Sequence, residues 1–419
     1  MNYKILLTSA VMLYASASIS QNSNRAYAIT GDGNKDFVWM NIRQVDLGTG
    51  QVSKTIFQRN SSSFVLTDIN SKTSVAKVAS TVANLTEAKN HPTGSFVAAA
   101  ALDNRSNRLF FTPMRVGELR WLDLNMKNET PKFYSLSSPA LDFGPQVDEA
   151  NHITRMVIAA DGNGYAVTND GNHFIKFTTG KKPVIADLGN LIDAEGNQGI
   201  SIHNKCTSWG GDMLADALGK LYIISANRHV FKVDIGSRVA THVGVITGLP
   251  ANYTTNAAAV DANGEIVVSS ANVFEGYYKV KLADLTATSI EGSDRLYNAS
   301  DLANGNLLLQ KEADAARKFS GAPVLNAIAM DYGDKRVYPN PVTTSTFSVL
   351  FDDQKPGTYS IALTDLSGRV MQTKKVNIMK AMQTQQVNIT GSVAKGMYFV
   401  KVYDEAKQIV FTEKLLIQK

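Results

Sequence analysis

One alternation of apolar and polar positions recurs along residues 22–331. A run of small or apolar residues leads to an acidic turn, often with glycine, and a second run rich in β-forming residues follows. The pattern occurs five times, at residues 98–111, 157–167, 214–224, 257–268 and 301–309. Because apolar runs on either side of Asp and Gly turns are typical of paired antiparallel strands, each copy predicts a β-hairpin.

Four of these copies are followed by a second hairpin with its own polar turn. The second hairpins are centred on residues 121–125, 174–180, 231–236 and 278–284. Two hairpins make a four-stranded antiparallel unit, and such a unit repeated at this spacing predicts an all-β fold, a β-propeller of about six four-stranded blades. Five or seven blades also fit the pattern. The alternative architecture is a pair of two-sheet sandwiches.

The ends of the repeat region predict how the ring closes. Residues 24–29 resemble the second strand of a blade and residues 40–57 its outer hairpin, so the first blade lacks an innermost strand. Residues 327–331 have the pattern of that missing strand, and supplying it would remove exposed strand edges. Residues 58–97 do not fit the repeat. They predict an insertion on one face, with a short helix around residues 82–89.

A different set of strands follows Arg336. About seven short segments with period-two alternation fill the last eighty or so residues, which predicts a small immunoglobulin-like β-sandwich. Pro339 and Pro341 hold the chain extended as it enters the first sheet. The predicted organisation is a signal peptide at 1–20, a propeller-like domain at 21–331, a linker at 332–336 and a C-terminal domain at 337–419.

The first twenty residues have the pattern of a secretory signal peptide. Lys4 precedes an apolar run at 5–14, and small residues follow at 15–20. We expect cleavage before Gln21 or after Ala17; the alternative interpretation is a buried first strand or helix. Cys206 is the only cysteine, so no intrachain disulfide can form. We expect its thiol to be buried and inert rather than nucleophilic.

Charge separates the two domains. Residues 336–419 contain 11 Lys and Arg against 6 Asp and Glu, whereas the whole chain carries a formal net charge of +5. Since Lys4 adds one positive charge, residues 21–335 are close to neutral. Nucleic-acid affinity depends on clustered cations, so the large domain is not expected to bind nucleic acid.

Four motifs in the last eighty residues resemble those of the type A C-terminal sorting domain of the Bacteroidota type IX secretion system. They are YPNP at 338–341, PGTY at 356–359 with LTDLSGRV at 363–370, KGMYFVKV at 395–402, and KLLI at 414–417. The residues expected to form the sorting signal are Pro339, Asn340, Pro341, Gly357, Tyr359, Asp365, Gly368, Arg369, Gly396, Tyr398 and Lys414.

The resemblance implies a route for export. It implies passage through the inner membrane by the signal peptide, recognition of the tail by type IX machinery at the outer membrane, and tail removal with release or attachment to surface lipopolysaccharide. The expected location is therefore the cell surface or the medium, reached through the periplasm. The resemblance covers a fifth of the chain and does not identify what the propeller binds.

Motifs for metal, nucleotide or covalent catalysis are weak in this sequence. The oxygen-rich stretches at 32–36 and 161–164 are incomplete as calcium loops and are better interpreted as hairpin turns. The six histidines show no paired H-E-x-x-H spacing, and there is no G-x-S-x-G or P-loop motif. We therefore predict no cofactor and no metal, with calcium at one of the two oxygen-rich stretches as the alternative.

Two functions from different classes remain open for the large domain. The first is a non-catalytic binding or adhesion propeller that presents loops to a glycan or a protein, with Trp209 as the candidate ligand contact beside Gly210 and Gly211. The other aromatic residues considered for a stacking surface are Trp39, Trp121, Tyr253, Tyr277 and Tyr278; the competing interpretation is that they fill space between sheets. The second function is a polysaccharide-cleaving enzyme, which would need two carboxylates in the channel mouth, for example from Asp212, Glu265 or Glu275.

Overall fold

The computed structural model describes residues 24–34, 37–78, 89–125, 130–293, 295–319, 336–343, 345–351, 354–365, 368–379, 383–391 and 393–418. The chain divides into two compact units, Met1–Val324 and Leu325–Lys419. The predicted signal peptide, the predicted closing strand at 327–331 and most of the predicted linker and helix lie outside the described residues. The domain bounds at 331 and 336 stay predictions.

The first unit consists mainly of strands. In chain order they are β1 (Arg25–Thr30), β2 (Asn41–Asp46), β3 (Val52–Phe57), β4 (Ser63–Asp68), β5 (Ser74–Val78), β6 (Val97–Asp103), β7 (Arg108–Pro113), β8 (Glu118–Asp123), β9 (Lys132–Ser137), β10 (Ile153–Ile158), β11 (Gly164–Thr168), β12 (Phe174–Phe177), β13 (Ile185–Asp187), β14 (Ile192–Asp193), β15 (Asp212–Ala215), β16 (Lys220–Ile224), β17 (His229–Asp234), β18 (Val239–Val245), β19 (Ala257–Val260), β20 (Ile266–Ser269), β21 (Tyr278–Val280), β22 (Ala287–Ser289) and β23 (Ala299–Ala303). Short 3₁₀ helices span Pro139–Leu141, Glu149–Asn151 and Glu195–Asn197, and α-helices span Lys205–Ser208 and Gln310–Phe319.

These strands form five sheets that are the blades of a propeller, which confirms the predicted fold class. From the centre outward, the strand orders are β23-β1-β2-β3 in blade 1, β6-β7-β8-β9-β4-β5 in blade 2, β10-β11-β12-β13 in blade 3, β15-β16-β17-β18-β14 in blade 4 and β19-β20-β21-β22 in blade 5. The hairpins predicted at 98–111, 157–167, 214–224 and 257–268 are all present.

The described residues form five blades, one of the counts that the sequence left open, and the hairpin predicted at residues 301–309 was wrong. This segment does not open a sixth blade. Its first half belongs to β23, which pairs antiparallel with β1 and supplies the innermost strand of blade 1. Its second half contains Leu308, which bridges to Asp216 in blade 4. The strand that completes blade 1 is therefore β23, which begins at Ala299, and not the predicted segment 327–331, which lies outside the described residues.

The predicted insertion at residues 58–97 is partly an extension of blade 2. Strand β4 pairs in parallel with β9, and β5 pairs antiparallel with β4, so both strands enlarge the outer edge of that sheet. The segment that links β3 of blade 1 to β6 of blade 2 therefore contains two strands at the outer edge of blade 2.

Blade-to-blade packing explains why the ring is stable. Five clusters of buried apolar side chains lie in this unit, one at each blade interface. At the interface of blades 1 and 2, for example, Ile42 and Phe57 pack with Phe111 and Phe133. Apolar burial of this kind contributes roughly 25 cal/mol per Å², so each sheet is stabilised on both of its faces.

Small side chains let the five innermost strands approach one another at the centre. Neighbouring strands in the ring β23, β6, β10, β15 and β19 contact each other in sequence. Ala100, Met156, Leu214 and Ala258 are among the residues around a central cavity of about 10 Å³. A space of that size holds about one water molecule, so the centre is a packed core and not an open channel.

The second unit is a two-sheet sandwich, as predicted. Its strands are β24 (Val337–Tyr338), β25 (Thr346–Phe351), β26 (Gly357–Thr364), β27 (Val370–Ile378), β28 (Gln383–Asn388), β29 (Gly396–Tyr403) and β30 (Ile409–Ile417). One sheet has the order β24-β25-β28 and the other β27-β26-β29-β30. Alternate residues face inward, such as Phe347, Val349 and Phe351 of β25 and Val400 and Val402 of β29, and they form one core.

Candidate functional site

The strand order gives the propeller two faces. The upper face carries the starts of the innermost strands and the loops between the second and third strands of each blade; the lower face carries the turns that follow the innermost strands. On the upper face, Phe37 and Trp39 of blade 1 lie near Phe96 of blade 2 and Phe274 of blade 5. Ring centroids are 6.4 Å apart for Phe37 and Trp39, 6.0 Å for Phe37 and Phe274, and 6.4 Å for Trp39 and Phe96. We call these four residues the aromatic patch.

The aromatic patch is accessible and is held by an unusual backbone. The Phe37 side chain is 50% exposed, and the other three rings are half-buried. Ser95 and Phe96 have φ values of 65° and 68°. A left-handed conformation is costly for a bulky residue, and such strain concentrates at functional sites. The Trp39 Nε1 atom is buried without a hydrogen-bond partner among the described residues.

Most of the other aromatic residues singled out in the sequence lie in the core. Trp121 is 2% exposed and stacks on Tyr134 with centroids 5.4 Å apart. Tyr253 and Tyr277 are 1% and 2% exposed, and the Tyr253 hydroxyl donates to the Gly276 carbonyl at 2.8 Å. These side chains fill space between sheets, so they do not form a stacking surface.

Trp209, the predicted ligand contact, lies apart from the aromatic patch. It follows the helix Lys205–Ser208 and is half-buried. Its Nε1 donates to the His203 carbonyl at 3.2 Å, and the Lys205 ammonium lies 4.7 Å from the ring centroid. Its indole N–H therefore already has a partner within the protein, and its role in binding stays a prediction.

Two carboxyl groups meet at the centre of the ring. Asp212 of β15 and Asp301 of β23 are both fully buried. Asp212 Oδ2 accepts from the Ala258 N–H of blade 5 at 2.6 Å and from the Leu302 N–H of blade 1 at 3.4 Å. Asp301 Oδ2 accepts from the Ala100 N–H of blade 2 at 3.0 Å. The pair thus links the innermost strands of four blades.

At neutral pH this pair retains a proton. Burial raises the pKa of Asp212 to about 8, and burial together with the neighbouring Asp212 carboxyl raises the pKa of Asp301 well above its usual range. Asp212 already accepts three backbone N–H bonds, from Met213, Ala258 and Leu302. Asp301 Oδ1 accepts none from the described residues, whereas both Asp212 oxygens accept backbone N–H bonds, so a shared proton is better accommodated on Asp301.

The other carboxylates considered for catalysis are not near this pair. Glu265 lies in a lower-face turn of blade 5, where its carboxylate is 3.3 Å from the Lys279 ammonium. Glu275 is exposed on the upper-face loop that carries Phe274. Asp212 begins β15 at the upper side, so the fold does not bring the three predicted residues together.

The recurring acidic residues close the turns of the lower face. Asp103, Asp161, Asp216 and Asp261 each end or follow an innermost strand, and each accepts a backbone N–H from two residues further on, at 2.8 to 3.1 Å. In the candidate calcium loop of blade 3, Asp161 also accepts from the Tyr165 hydroxyl at 2.8 Å. Within the described ranges, no three His, Cys, Asp or Glu side chains are grouped to hold a metal ion.

The expectation about Cys206 needs revision, and one histidine pair was not visible in the sequence. Cys206 is exposed on the short helix Lys205–Ser208 and is not the buried thiol expected, because the helix places it on the surface side. His229 and His242, which are thirteen positions apart, lie with ring nitrogens 3.0 Å from each other. The hairpin turn between β17 and β18 brings them together, and only the strand register could have indicated it.

In the second unit, the motif at 338–341 binds the last strand. Asn340 Nδ2 donates to the Lys414 carbonyl at 2.6 Å, and its Oδ1 accepts from the Leu416 N–H at 3.0 Å. The peptide bonds before Pro339 and Pro341 are both cis. The first and last motifs of the sorting region therefore contact each other in the folded domain.

The central motif forms the turn between β26 and β27. Asp365 Oδ1 accepts the Arg369 N–H at 3.0 Å, and Oδ2 accepts from Arg369 Nε at 3.2 Å. Gly368 has φ +87°, a conformation that favours glycine. Asp365, Gly368 and Arg369 therefore stabilise this turn through contacts within the turn itself.

The two Gly-x-Tyr sequences make the same contact, a hydrogen bond from the tyrosine hydroxyl to a backbone carbonyl four residues earlier. The Tyr359 hydroxyl donates to the Lys355 carbonyl at 2.8 Å, and the Tyr398 hydroxyl donates to the Ala394 carbonyl at 2.9 Å. Each tyrosine therefore fixes the loop that precedes its strand. In the β27-β26-β29-β30 sheet, Phe399 pairs with Thr364 on one side and with Lys414 on the other. This register places the predicted sorting residues, apart from Gly357 and Tyr359, at one end of the sheet.

Replacing Asn340 with alanine should weaken this end of the sandwich. The substitution leaves the Leu416 N–H and the Lys414 carbonyl without their side-chain partner, which costs about 1 to 2 kcal/mol at a partly exposed site. The measurement is hydrogen exchange of β30 amides in the full chain. Asn388→Ala, at an exposed position of β28, is the control and should leave exchange unchanged. Equal exchange in both variants would contradict the role assigned to Asn340.

Comparison with known proteins identifies the C-terminal region. Residues 336–418 match the family model of the secretion system C-terminal sorting domain. This region is a type IX secretion sorting domain, and the protein is secreted or displayed at the cell surface. No curated protein matches the sequence. Among the described residues, none of the helices has the length and hydrophobicity required to cross a membrane.

Solved structures resemble the chain only distantly. PorZ, described as a surface component of the type IX secretion system of Porphyromonas gingivalis, is 15% identical, with a TM-score of 0.32; the match covers 94% of this chain and 51% of PorZ. Virginiamycin B lyase from Staphylococcus aureus is 10% identical over 64% of this chain and 86% of its own, with a TM-score of 0.34. Glutaminyl cyclase from Myxococcus xanthus is 12% identical over 69% and 94%, with a TM-score of 0.30. The chain spans about half the length of PorZ.

Proposed function

We propose that this protein is an exported binding or adhesion propeller, carried to the cell surface by its sorting domain and not itself a catalyst. The observation that carries the proposal is the aromatic patch. Four aromatic side chains from three blades converge on the upper face, partly exposed. Exposed aromatic groups are the usual anchors of glycan and protein recognition because they bury large areas at small entropic cost.

The carboxylates favour binding over hydrolysis. A glycoside hydrolase needs two carboxyl groups that reach the substrate, about 5 to 10 Å apart. Asp212 and Asp301 are fully buried, the central cavity has room for about one water molecule, and Glu265 is paired with Lys279. The alternative function, a secreted polysaccharide-cleaving propeller, lacks support from these residues.

The export route forms the other part of the proposal. A signal peptide at 1–20 takes the chain to the periplasm, and the sorting domain is recognised by the type IX machinery of a bacterium of the Bacteroidota. The mature protein then presents its upper face to a glycan or protein ligand. The four sequence motifs and the matched region at 336–418 support this route.

Trp39→Ala should reduce ligand binding at least tenfold, because the substitution removes the central ring of the aromatic patch. A glycan array and a pull-down with the mature full chain identify the ligand, and titration of each variant with it gives the affinity. Trp209→Ala is the comparison, since Trp209 is also half-buried but lies outside the patch.

The outcomes separate the candidates. Loss of binding in Trp209→Ala with normal binding in Trp39→Ala would move the site to blade 4 and contradict the assignment of the patch. Release of new reducing ends from a bound polysaccharide would favour the enzymatic alternative.

A further inference from the structure

A pair of imidazole side chains lies on the outer half of blade 4, away from the aromatic patch. His229 begins β17 and His242 lies in β18, the neighbouring strand. The distance between His229 Nδ1 and His242 Nε2 is 3.0 Å, and the ring centroids are 5.2 Å apart. Both side chains are half-buried, so ions from solvent can reach them.

The separation of the two nitrogens matches that of two ligands on one metal ion. Nitrogen ligands lie about 2.0 to 2.1 Å from a late transition-metal ion, so adjacent ligands at octahedral or tetrahedral angles are roughly 2.9 to 3.4 Å apart. The observed 3.0 Å falls within that range. A small rotation of the rings turns a shared N–H···N hydrogen bond into two nitrogen lone pairs directed at one ion.

Both imidazoles are half-buried, which disfavours their charged forms and lowers the pKa of His229 and of His242. Metal ions bind the neutral imidazole.

The groups around the pair indicate which metal ions it would suit. The Asn197 amide oxygen accepts the His242 backbone N–H at 2.8 Å, and the Phe231 ring lies 5.2 Å from the His242 ring. Arg228 is turned away and donates to the carbonyls of Pro250 and Tyr253. Among the described residues, no carboxylate hydrogen-bonds to either ring. Two nitrogen donors without oxygen favour zinc, copper or nickel over calcium or magnesium.

We infer that His229 and His242 form an open, two-histidine site for a late first-row divalent metal ion on the surface of blade 4. The remaining coordination positions are filled by water or by a donor from a bound partner. The ion would join β17 to β18 and stabilise the native state by mass action. This site is independent of the proposed ligand surface.

The test is calorimetric titration of the untagged mature full chain with Zn²⁺ alone. We expect saturable binding of one ion, weakened at least tenfold in His242→Gln and in His229→Gln. His173→Gln is the matched control, because His173 is similarly exposed and pairs with Asp187 at 2.7 Å elsewhere on the surface. It should bind Zn²⁺ as the unaltered protein does.

The dependence on pH and on the ion provides a second readout. Protons compete with the metal once the imidazoles titrate, so affinity should fall at least tenfold between about pH 7.5 and pH 5. Ca²⁺ should not compete. Thermal melting without metal checks that the variants are folded. Absence of saturable Zn²⁺ binding, or equal affinity in His242→Gln, His229→Gln and the unaltered chain, would overturn the proposal.

Discussion

Deleting residues 336–419 should leave the propeller folded but confined to the periplasm of a host that carries the type IX apparatus. The sorting domain has its own core, its own charge balance and its own two sheets. The five interfaces of the propeller are formed by residues of the first unit alone. Deletion of the tail therefore removes the sorting signal and leaves the packing of the large unit intact.

Cell fractionation with a melting curve of the truncated protein measures both effects. We expect nearly complete loss from the surface and the medium, with a cooperative transition retained. Normal amounts of truncated protein in the medium would show that the tail is not the address. A loss of cooperative unfolding would show that the C-terminal sandwich belongs to the working domain.

Asp301→Asn should make the propeller less sensitive to alkaline pH. The native pair retains a proton that the unfolded chain releases above about pH 4, because an unperturbed Asp has a pKa near 3.9. The stability contributed by that proton is therefore complete in acid and is lost as pH rises toward the raised native pKa. The slope is about 1.4 kcal/mol per pH unit for each retained proton.

Asparagine cannot ionise in this pH range, and it keeps an oxygen that can accept the Ala100 N–H. The free energy of unfolding of Asp301→Asn should then decline less steeply with pH and exceed that of the unaltered protein near pH 8. Denaturant titrations across the pH range measure it, with Asp142→Asn at an exposed site as the control. Equal slopes in Asp301→Asn and the unaltered chain would contradict the shared proton.

The repeat in the sequence was sufficient to predict the propeller but not its blade count. In four blades an aspartate caps the turn after the innermost strand, whereas blade 1 has Asn304 at that point, donating to the Val260 carbonyl at 2.7 Å. The acidic residue nearest to this turn in the sequence is Asp301, three residues before Asn304. Asp301 instead points into the centre of the ring, where the register of β23 places it beside Asp212.

The sorting domain was predictable in detail because its motifs are local. The turn at Asp365, Gly368 and Arg369 and the tyrosine contacts of Tyr359 and Tyr398 each lie within five consecutive residues. Short-range hydrogen bonds of this kind require fixed spacing, and fixed spacing is visible in a sequence.

The candidate sites of the propeller could not be predicted because they join distant loops. The aromatic patch combines Phe37 and Trp39 with Phe96 and Phe274, which come from three blades. Which loops meet depends on the number of blades and on the strand that closes the ring. Trp209 appeared the better candidate because its glycine-rich loop is visible locally.

The most direct test of the central claim, that the tail carries an exported binding propeller to the surface, is to transplant residues 336–419. The tail is fused to an unrelated periplasmic domain in a type IX host, and its surface exposure is measured by protease digestion of intact cells. We predict that the fused domain reaches the surface or the medium, while the same domain without the tail stays in the periplasm. A fused domain that remained fully periplasmic would contradict the account.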